Sequence, residues 1–179
     1  MKLFKINYHS VQAKLNLVLI ALIIIVLTGF GVYDFLTMKK KMMLELNEIA
    51  DTVSERLSGS MAVAIWEMHR ESGIASVLSE MIEKRIYAIV IRENNTSEAF
   101  VEMKRNEDTW EPMEFDGAIE GNFIKRSGDV IKGKEKLGSV EIFLTREFMD
   151  EDLRLSLYSL VIKIFILDLI LVAGMSLII

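Results

Sequence analysis

The sequence predicts an α+β fold: an antiparallel sheet behind a long helix, held between two helices that cross a membrane. Three observations carry this. Two apolar runs, residues 15–36 and 155–179, bracket a polar middle. In the first part of that middle, apolar residues recur at steps of three and four, the period of a helix. From Ile86 onward the pattern becomes β-branched and alternating, which belongs to strands.

The first apolar run carries no charge over residues 15–33. At about 1.5 Å rise per residue, a helix of that length covers roughly 30 Å of hydrocarbon. It is expected to span as an uncleaved anchor. A cleaved secretory signal is the rival, with a basic start at Lys2, Lys5 and Lys14 and small residues at Thr28, Gly29 and Gly31. Against that rival, the stretch exceeds a usual signal core and no A-x-A-like site follows.

Lys163 and Asp168 interrupt the second run, whose remaining segments, 164–167 and 169–179, are too apolar to face water. It is expected to span too. The partition is then a tail at 1–14, a first span at 15–37, a domain at 38–156 and a second span at 157–179. Lysines flank the first span on both sides (Lys39, Lys40 and Lys41 beyond it), so charge bias alone does not orient it. Two spans put both termini on one side, and a short basic tail is easier to leave in the cytoplasm than a folded domain. The middle is therefore expected outside. The chain stops within the second run, which reads as a sensing module cut off before an output domain.

The middle, about 120 residues, is enough for one core and not two. A net charge of −5 without a basic, aromatic-interleaved face argues against nucleic acid as a partner. The absence of cysteine excludes disulfides, thiolate catalysis and thiolate-bound metal.

Met42, Leu46, Ile49 and Val53 alternate in steps of four and three, and Leu57, Met61, Ala64 and Ile65 carry the face onward, predicting one long helix. The spacing matches a coiled-coil seam, so these four residues and the membrane helices are the expected homodimer contact. The plainer alternative is a stripe packed on the domain's own sheet, above all near Met61 and Ile65. Ser58, Gly59 and Ser60 mark an expected bend. A second helix is expected over 71–85, opened by Ser72 or Ser72-Gly73. Strands follow at 86–91 and 99–104, with a turn at 93–97 between them. Turns or loops are expected at 106–108 and after Pro112, then a hairpin of 123–132 and 137–144 around Gly133-Lys134-Glu135-Lys136. A helix from Arg146 runs without a breaker into the second apolar run.

Four stretches resemble the single-Cache, PAS-like sensor domains of bacterial transmembrane receptors. Residues 64–71 (Ala-Ile-Trp-Glu-Met-His-Arg-Glu) resemble the LW-x-x-D/N-x-E segment that ends the family's long helix. Residues 86–93 resemble its first strand, I-x-x-V-x-V-x-D, and residues 136–142 its last, x-I-G-x-V-x-I; the fourth stretch is the exit helix from Arg146. The resemblance implies a PAS-like sheet, a bacterial inner membrane with the middle domain outside, and signalling to a cytoplasmic part such as a sensor histidine kinase, chemoreceptor or diguanylate cyclase.

Candidate ligand-binding residues are Trp66, His69 and Arg70 at the end of the long helix, where Trp66 could floor a pocket and the other two bind an anion. Tyr87, Phe100, Met103, Trp110 and Phe123 could line the same cavity, though such residues are most often plain core. Arg92, Lys104, Lys125 and Arg126 near strand ends could pair a carboxylate, though such charges are normally solvated. His69 with Glu67 or Glu71 lacks ligand spacing, so no metal and no cofactor is expected. Asn94-Asn95-Thr96 matches a glycosylation triplet, but a turn explains it. No nucleophile–base constellation or phosphate loop is recognisable, so this piece is not expected to be an enzyme.

Asp168, deep in an apolar helix, is costly there by about 2.5–3.5 kcal/mol. It is expected to hydrogen-bond in a dimeric four-helix bundle, to Asn16 or Thr28, and to transmit the signal, while Lys163 snorkels to the interface. The expected function is a transmembrane signal-sensing module. The alternative is a membrane-anchored partner-binding or scaffold protein with no small ligand.

Overall fold

The computed structural model describes residues 11–94 and 99–178, leaving aside the side chains of 11–13, 15–17, 171–172 and 175–178. Lys2 and Lys5, the centre of the turn at 95–97 and the side chain of Asn16 lie outside the described residues. The fold is α+β, with a long N-terminal helix and a five-stranded open antiparallel sheet. In chain order the elements are α1 (Val11–Trp66), α2 (Arg70–Glu80), β1 (Ile86–Glu93), β2 (Ala99–Arg105), β3 (Pro112–Glu114), β4 (Ile124–Lys132), β5 (Glu135–Leu144) and α3 (Glu147–Ile178).

The chain divides into two compact units. Among the described residues, one comprises 11–40 and 150–178, the other those between 41 and 149. Among the described residues one helix is long and apolar enough to cross a membrane, the segment of α1 from residue 18 onward. The expectation of two such helices is thus met by one: Arg154, Lys163 and Asp168 interrupt the described part of α3.

Within the first unit, Gly31 of α1 lies so close to Leu160 of α3 that an added Cβ would collide with the leucine methyls. The two helices therefore pack side by side, with Ile23, Leu27 and Gly31 facing inward on α1 and Leu160, Ile164 and Asp168 on α3.

The second unit is built on a sheet of order β3-β2-β1-β5-β4. Its centre is β1, whose residues 86–91 are all buried, as an apolar β-branched run covered on both faces should be. The row Val101, Ile91, Val140, Gly128 runs across the sheet on one face. At one end Val101 meets Gly73 of α2, and at the other Gly128 meets Ser54 and Ser58 of α1. Both helices therefore cover the same face, since residues of one row point the same way. A second row on that face, Met103, Ile89 and Ile142, ends at Arg126.

Three local expectations are corrected. The first concerns α1, which passes through Ser58, Gly59 and Ser60 without a break; the Ser60 hydroxyl donates to the Leu57 carbonyl 3.3 Å away, and Gly59 faces open space. Of the stripe expected to pair two copies, Leu46 and Val53 are buried in the domain's own core together with Ala50, Leu57, Met61 and Ile65, while Met42 and Ile49 stay partly exposed. The second helix spans residues 70–80, and the preceding residue is His69, not Ser72. The stretch after Pro112 is no plain loop, because Pro112–Glu114 pairs with β2 as an edge strand, and a proline lacking N–H is tolerated as the first residue of such a strand.

The hairpin between β4 and β5 closes more tightly than its sequence suggests. Lys132 pairs with Glu135, leaving Gly133 and Lys134 as the turn, with Gly133 at φ +68°, where a side chain would be strained. Gly138 in β5 is held against the Arg92 carbonyl, leaving no room for a Cβ.

Candidate functional site

The face of the sheet turned away from α1 and α2 has a different chemistry. Its rows read Lys104, Ala88, Phe143, Lys125 and Glu102, Val90, Glu141, Ser127. Ala88 and Val90 are buried beneath longer, charged neighbours. Lys125 pairs with Glu141 at 2.7 Å and Arg92 with Glu102 at 3.5 Å. Lys104 and Lys125 stand over the rings of Phe115 and Phe143, at 5.4 and 5.3 Å.

Five aromatic rings join beside this surface. Tyr87 stacks on Phe123 with centroids 4.4 Å apart and lies 6.1 Å from Trp110. Trp110 meets Phe148 edge-on at 5.6 Å, and Phe123 meets Phe143 edge-on at 6.5 Å. Offset and edge geometries of this kind stabilise beyond area burial alone.

The loop that presents Trp110 is built by Asn106. Its side-chain oxygen accepts from the Asp108 and Thr109 amides, at 2.8 and 3.1 Å, which is how an Asx turn folds the chain back. Trp110 is then held at φ +59°, a left-handed conformation that costs a non-glycine residue about 1 kcal/mol or more. Two contacts keep it there: the indole N–H donates to the Lys84 carbonyl at 3.2 Å, and the Trp110 carbonyl accepts from Arg105 at 2.7 Å.

Arg105 is buried. Its guanidinium also donates to the carbonyls of Ile86 at 2.8 Å and Glu83 at 3.2 Å, and to that of Met81. It therefore occupies the C-terminal end of α2, where unsatisfied carbonyls favour a cation. Burial makes it easier to deprotonate than usual, with Glu83 opposing that. The Glu83 carboxylate is in turn held below its ordinary range, chiefly by its hydrogen bond from Arg85. Burial pushes the Tyr87 phenol up, and Glu107 adds to the shift; the phenol donates weakly to Glu107 at 3.5 Å.

Of the residues singled out from sequence, the structure brings together Tyr87, Trp110 and Phe123. It separates the others. Trp66 is 57% exposed, with the Lys132 ammonium 4.3 Å from its ring centroid. His69 is exposed and serves the end of α1 through its backbone: its amide donates to the Ala64 carbonyl at 2.9 Å, and the Met68 amide donates to that of Ile65 at 3.1 Å. These are the paired bonds of a Schellman motif, here with Met68 at φ +52° where glycine is usual.

Arg70 is engaged, donating to the Phe100 carbonyl at 3.2 Å and pairing with Glu114 at 2.6 Å. Arg126 is held by Asp51 of α1 at 2.6 Å, and Arg92 by Glu102. Met103 faces the helices, and Phe100 lies against Gly73. In the other unit, Lys163 is exposed, whereas one oxygen of Asp168 is enclosed with no donor among the described residues. Thr28, an expected partner for it, is exposed.

Arg105, Phe143 and Phe148 were not among the expected site residues. A signal for Arg105 was present: the alternation Val101, Met103, Arg105 puts it on the inward parity of β2. Chemically, the site offers flat π surfaces, a braced strained loop and cross-strand ion pairs. Among the described residues no group of three or more His, Asp or Glu is placed to hold a metal. No model of a known protein family matches the chain, and no curated protein matches it in sequence.

Proposed function

We propose that the chain is a membrane-anchored signal-sensing module. Its sheet domain detects an extracytoplasmic stimulus, and α3 passes the resulting movement through the membrane to a cytoplasmic output of the sensor histidine kinase type. In this reading both apolar segments cross the bilayer, α3 with its charged residues turned toward helices or the interface. The observation that carries the reading is the continuity of α1: one 56-residue helix contains the apolar run and also supplies core residues to the sheet domain. The aromatic cluster supports it further, because Phe148 belongs to α3. A ligand that moved Trp110 would push directly on the start of the outgoing helix. A bias of a few kcal/mol is sufficient to shift such a two-state pair.

A second reading, a partner-binding anchor without a small ligand, is favoured by exposed apolar side chains near the end of α1: Val63 at 51%, Trp66 at 57% and Met68 at 82%. The two are separated with the whole chain in lipid nanodiscs. The chain contains no cysteine, so spin labels can be placed uniquely at Thr37 and Leu157, on a Trp66→Phe background in which Trp110 alone fluoresces. Charged and aromatic metabolites are then titrated. The sensor reading expects a compound that changes Trp110 emission and the interlabel distance together, with both responses lost in Tyr87→Ala. A compound that binds without altering the distance contradicts transmission.

A further inference from the structure

We infer that Lys104, together with the connection between β3 and β4, forms a binding site for a small aromatic monocarboxylate. The inference rests on the sensing reading, to which it adds a ligand class.

The topology makes that connection a strap. β3 and β4 lie at opposite edges of the sheet, so residues 115–123 have to pass β2, β1 and β5, a distance of about 19 Å at the usual strand spacing. Both ends touch the face turned away from α1 and α2: the Phe115 ring lies beside the Lys104 ammonium, and Phe123 lies against Tyr87 and Phe143. The ends are also hydrogen-bonded, the Phe115 amide donating to the Glu102 carbonyl at 3.3 Å and the Asn122 side chain accepting from Arg146. Between them, residues 116–121 make no backbone hydrogen bond among the described residues. Gly117 and Gly121 have φ of +139° and +143°, conformations that glycine alone enters freely. The middle of the strap can therefore lift and settle without breaking the sheet.

Lys104 supplies the charge. On this face Lys125 is neutralised by Glu141 and Arg92 by Glu102, and the buried Arg105 is taken up by four backbone carbonyls. Lys104 is half-buried and forms no ion pair among the described residues; its ammonium stands 5.4 Å from the Phe115 ring centroid. An ammonium carries three donors, and a carboxylate meets them with charge-assisted hydrogen bonds. One unpaired cation matches one negative charge, whereas a phosphate dianion would need a second. The rest of the ligand is set by the row Lys104, Ala88, Phe143. Ala88 is its smallest side chain, and Lys104 and Phe143 stand two strand spacings apart, about 10 Å, a span suited to one ring bearing one carboxyl. A flat ring there meets the aromatic faces of Phe115 and Phe143. Because Ala88 is fully buried, entry requires the cover over this row to move, which the unbonded middle of the strap allows.

The test uses the whole chain in lipid nanodiscs and titration calorimetry, with benzoate as the probe, benzamide as its uncharged counterpart and acetate as its ringless one. Benzoate is expected to bind saturably, and the other two at least about tenfold more weakly. Lys104→Met, which keeps most of the apolar stem, is expected to weaken benzoate by about ten- to a hundredfold, the range of one charge-assisted hydrogen bond. Lys104→Arg, which keeps the charge, is expected to stay within about fivefold of the wild type. Unchanged Trp110 emission on the Trp66→Phe background shows that the variants are folded. No saturable binding of benzoate, equal binding of benzamide or acetate, or a folded Lys104→Met chain that binds as tightly as the wild type overturns the inference. The distance between spin labels at Thr37 and Leu157 separates this failure from that of the underlying reading. Benzoate binding that depends on Lys104 but leaves the distance unchanged contradicts sensing and leaves the site standing; a wild-type chain that does not bind benzoate removes the site alone.

Discussion

The two faces of the sheet share five strands and have opposite chemistries. Toward α1 and α2 the rows are Val101, Ile91, Val140 and Met103, Ile89, Ile142, all buried. On the other side Ala88 and Val90 are covered by Glu102, Lys104, Lys125, Glu141 and an aromatic cluster. The first face obtains its stability from dry, close packing, which tolerates little change. The second is held by ion pairs, cation–π contacts and a loop in a strained turn, interactions that can be remade at small cost. Dry packing and exchangeable polar contacts are thus divided between the two sides of one sheet, with β1 common to both.

The division is open to direct attack. The largest effect is expected on the packed face: Ile89→Ala should lower the unfolding free energy by about 2–5 kcal/mol, read from denaturant titration. Arg105→Met comes next, at roughly 2–3 kcal/mol, because it leaves the Met81, Glu83, Ile86 and Trp110 carbonyls short of a donor. It should also release Trp110, seen as a red-shifted emission. Met68→Gly should act the other way and raise stability by about 1 kcal/mol, by removing a left-handed non-glycine residue.

The smallest effects belong to ion pairs. Glu141→Gln should change stability by less than about 1 kcal/mol; a loss as large as that of Ile89→Ala would break the comparison. Glu83 adds a pH dependence whose sign follows from its depressed pKa. Its contribution is present above the ordinary value of 4.5 and is lost as pH falls through the lower folded value. The acid limb of a stability–pH curve should therefore flatten in Glu83→Gln.

Much of this architecture was legible because single segments encode it. The run of residues 86–91 announces a strand buried on both faces, and the helical steps from Met42 to Ile65 announce one long helix. What could not be read depends on which distant surface a segment meets. Seven-residue spacing is equally good for a second copy and for the domain's own sheet, so the destination of Leu46 and Val53 was open. Three residues after a proline carry too little pattern to declare β3. The aromatic cluster needs Tyr87, Trp110 and Phe148 brought together from three separate elements, and only Tyr87 and Trp110 stood out on their own. Arg105 lies on a strand whose inward parity should have been apolar, and its role appears only once the end of α2 is placed beside it.

The central proposal is that one unbroken helix leads from lipid into the core of the sheet domain. Scanning single spin labels along residues 20–60 of the whole chain in nanodiscs tests it, through the accessibility of each label to oxygen and to a water-soluble relaxant. The account predicts oxygen-accessible labels near Ile25 and Phe30. Water-accessible labels should follow at Leu44, Glu48, Thr52 and Glu55, alternating with shielded ones at Leu46, Val53 and Leu57 in a helical period that does not lapse at Gly59. Water-accessible labels at Ile25, or a period that fails between the two regions, would contradict it.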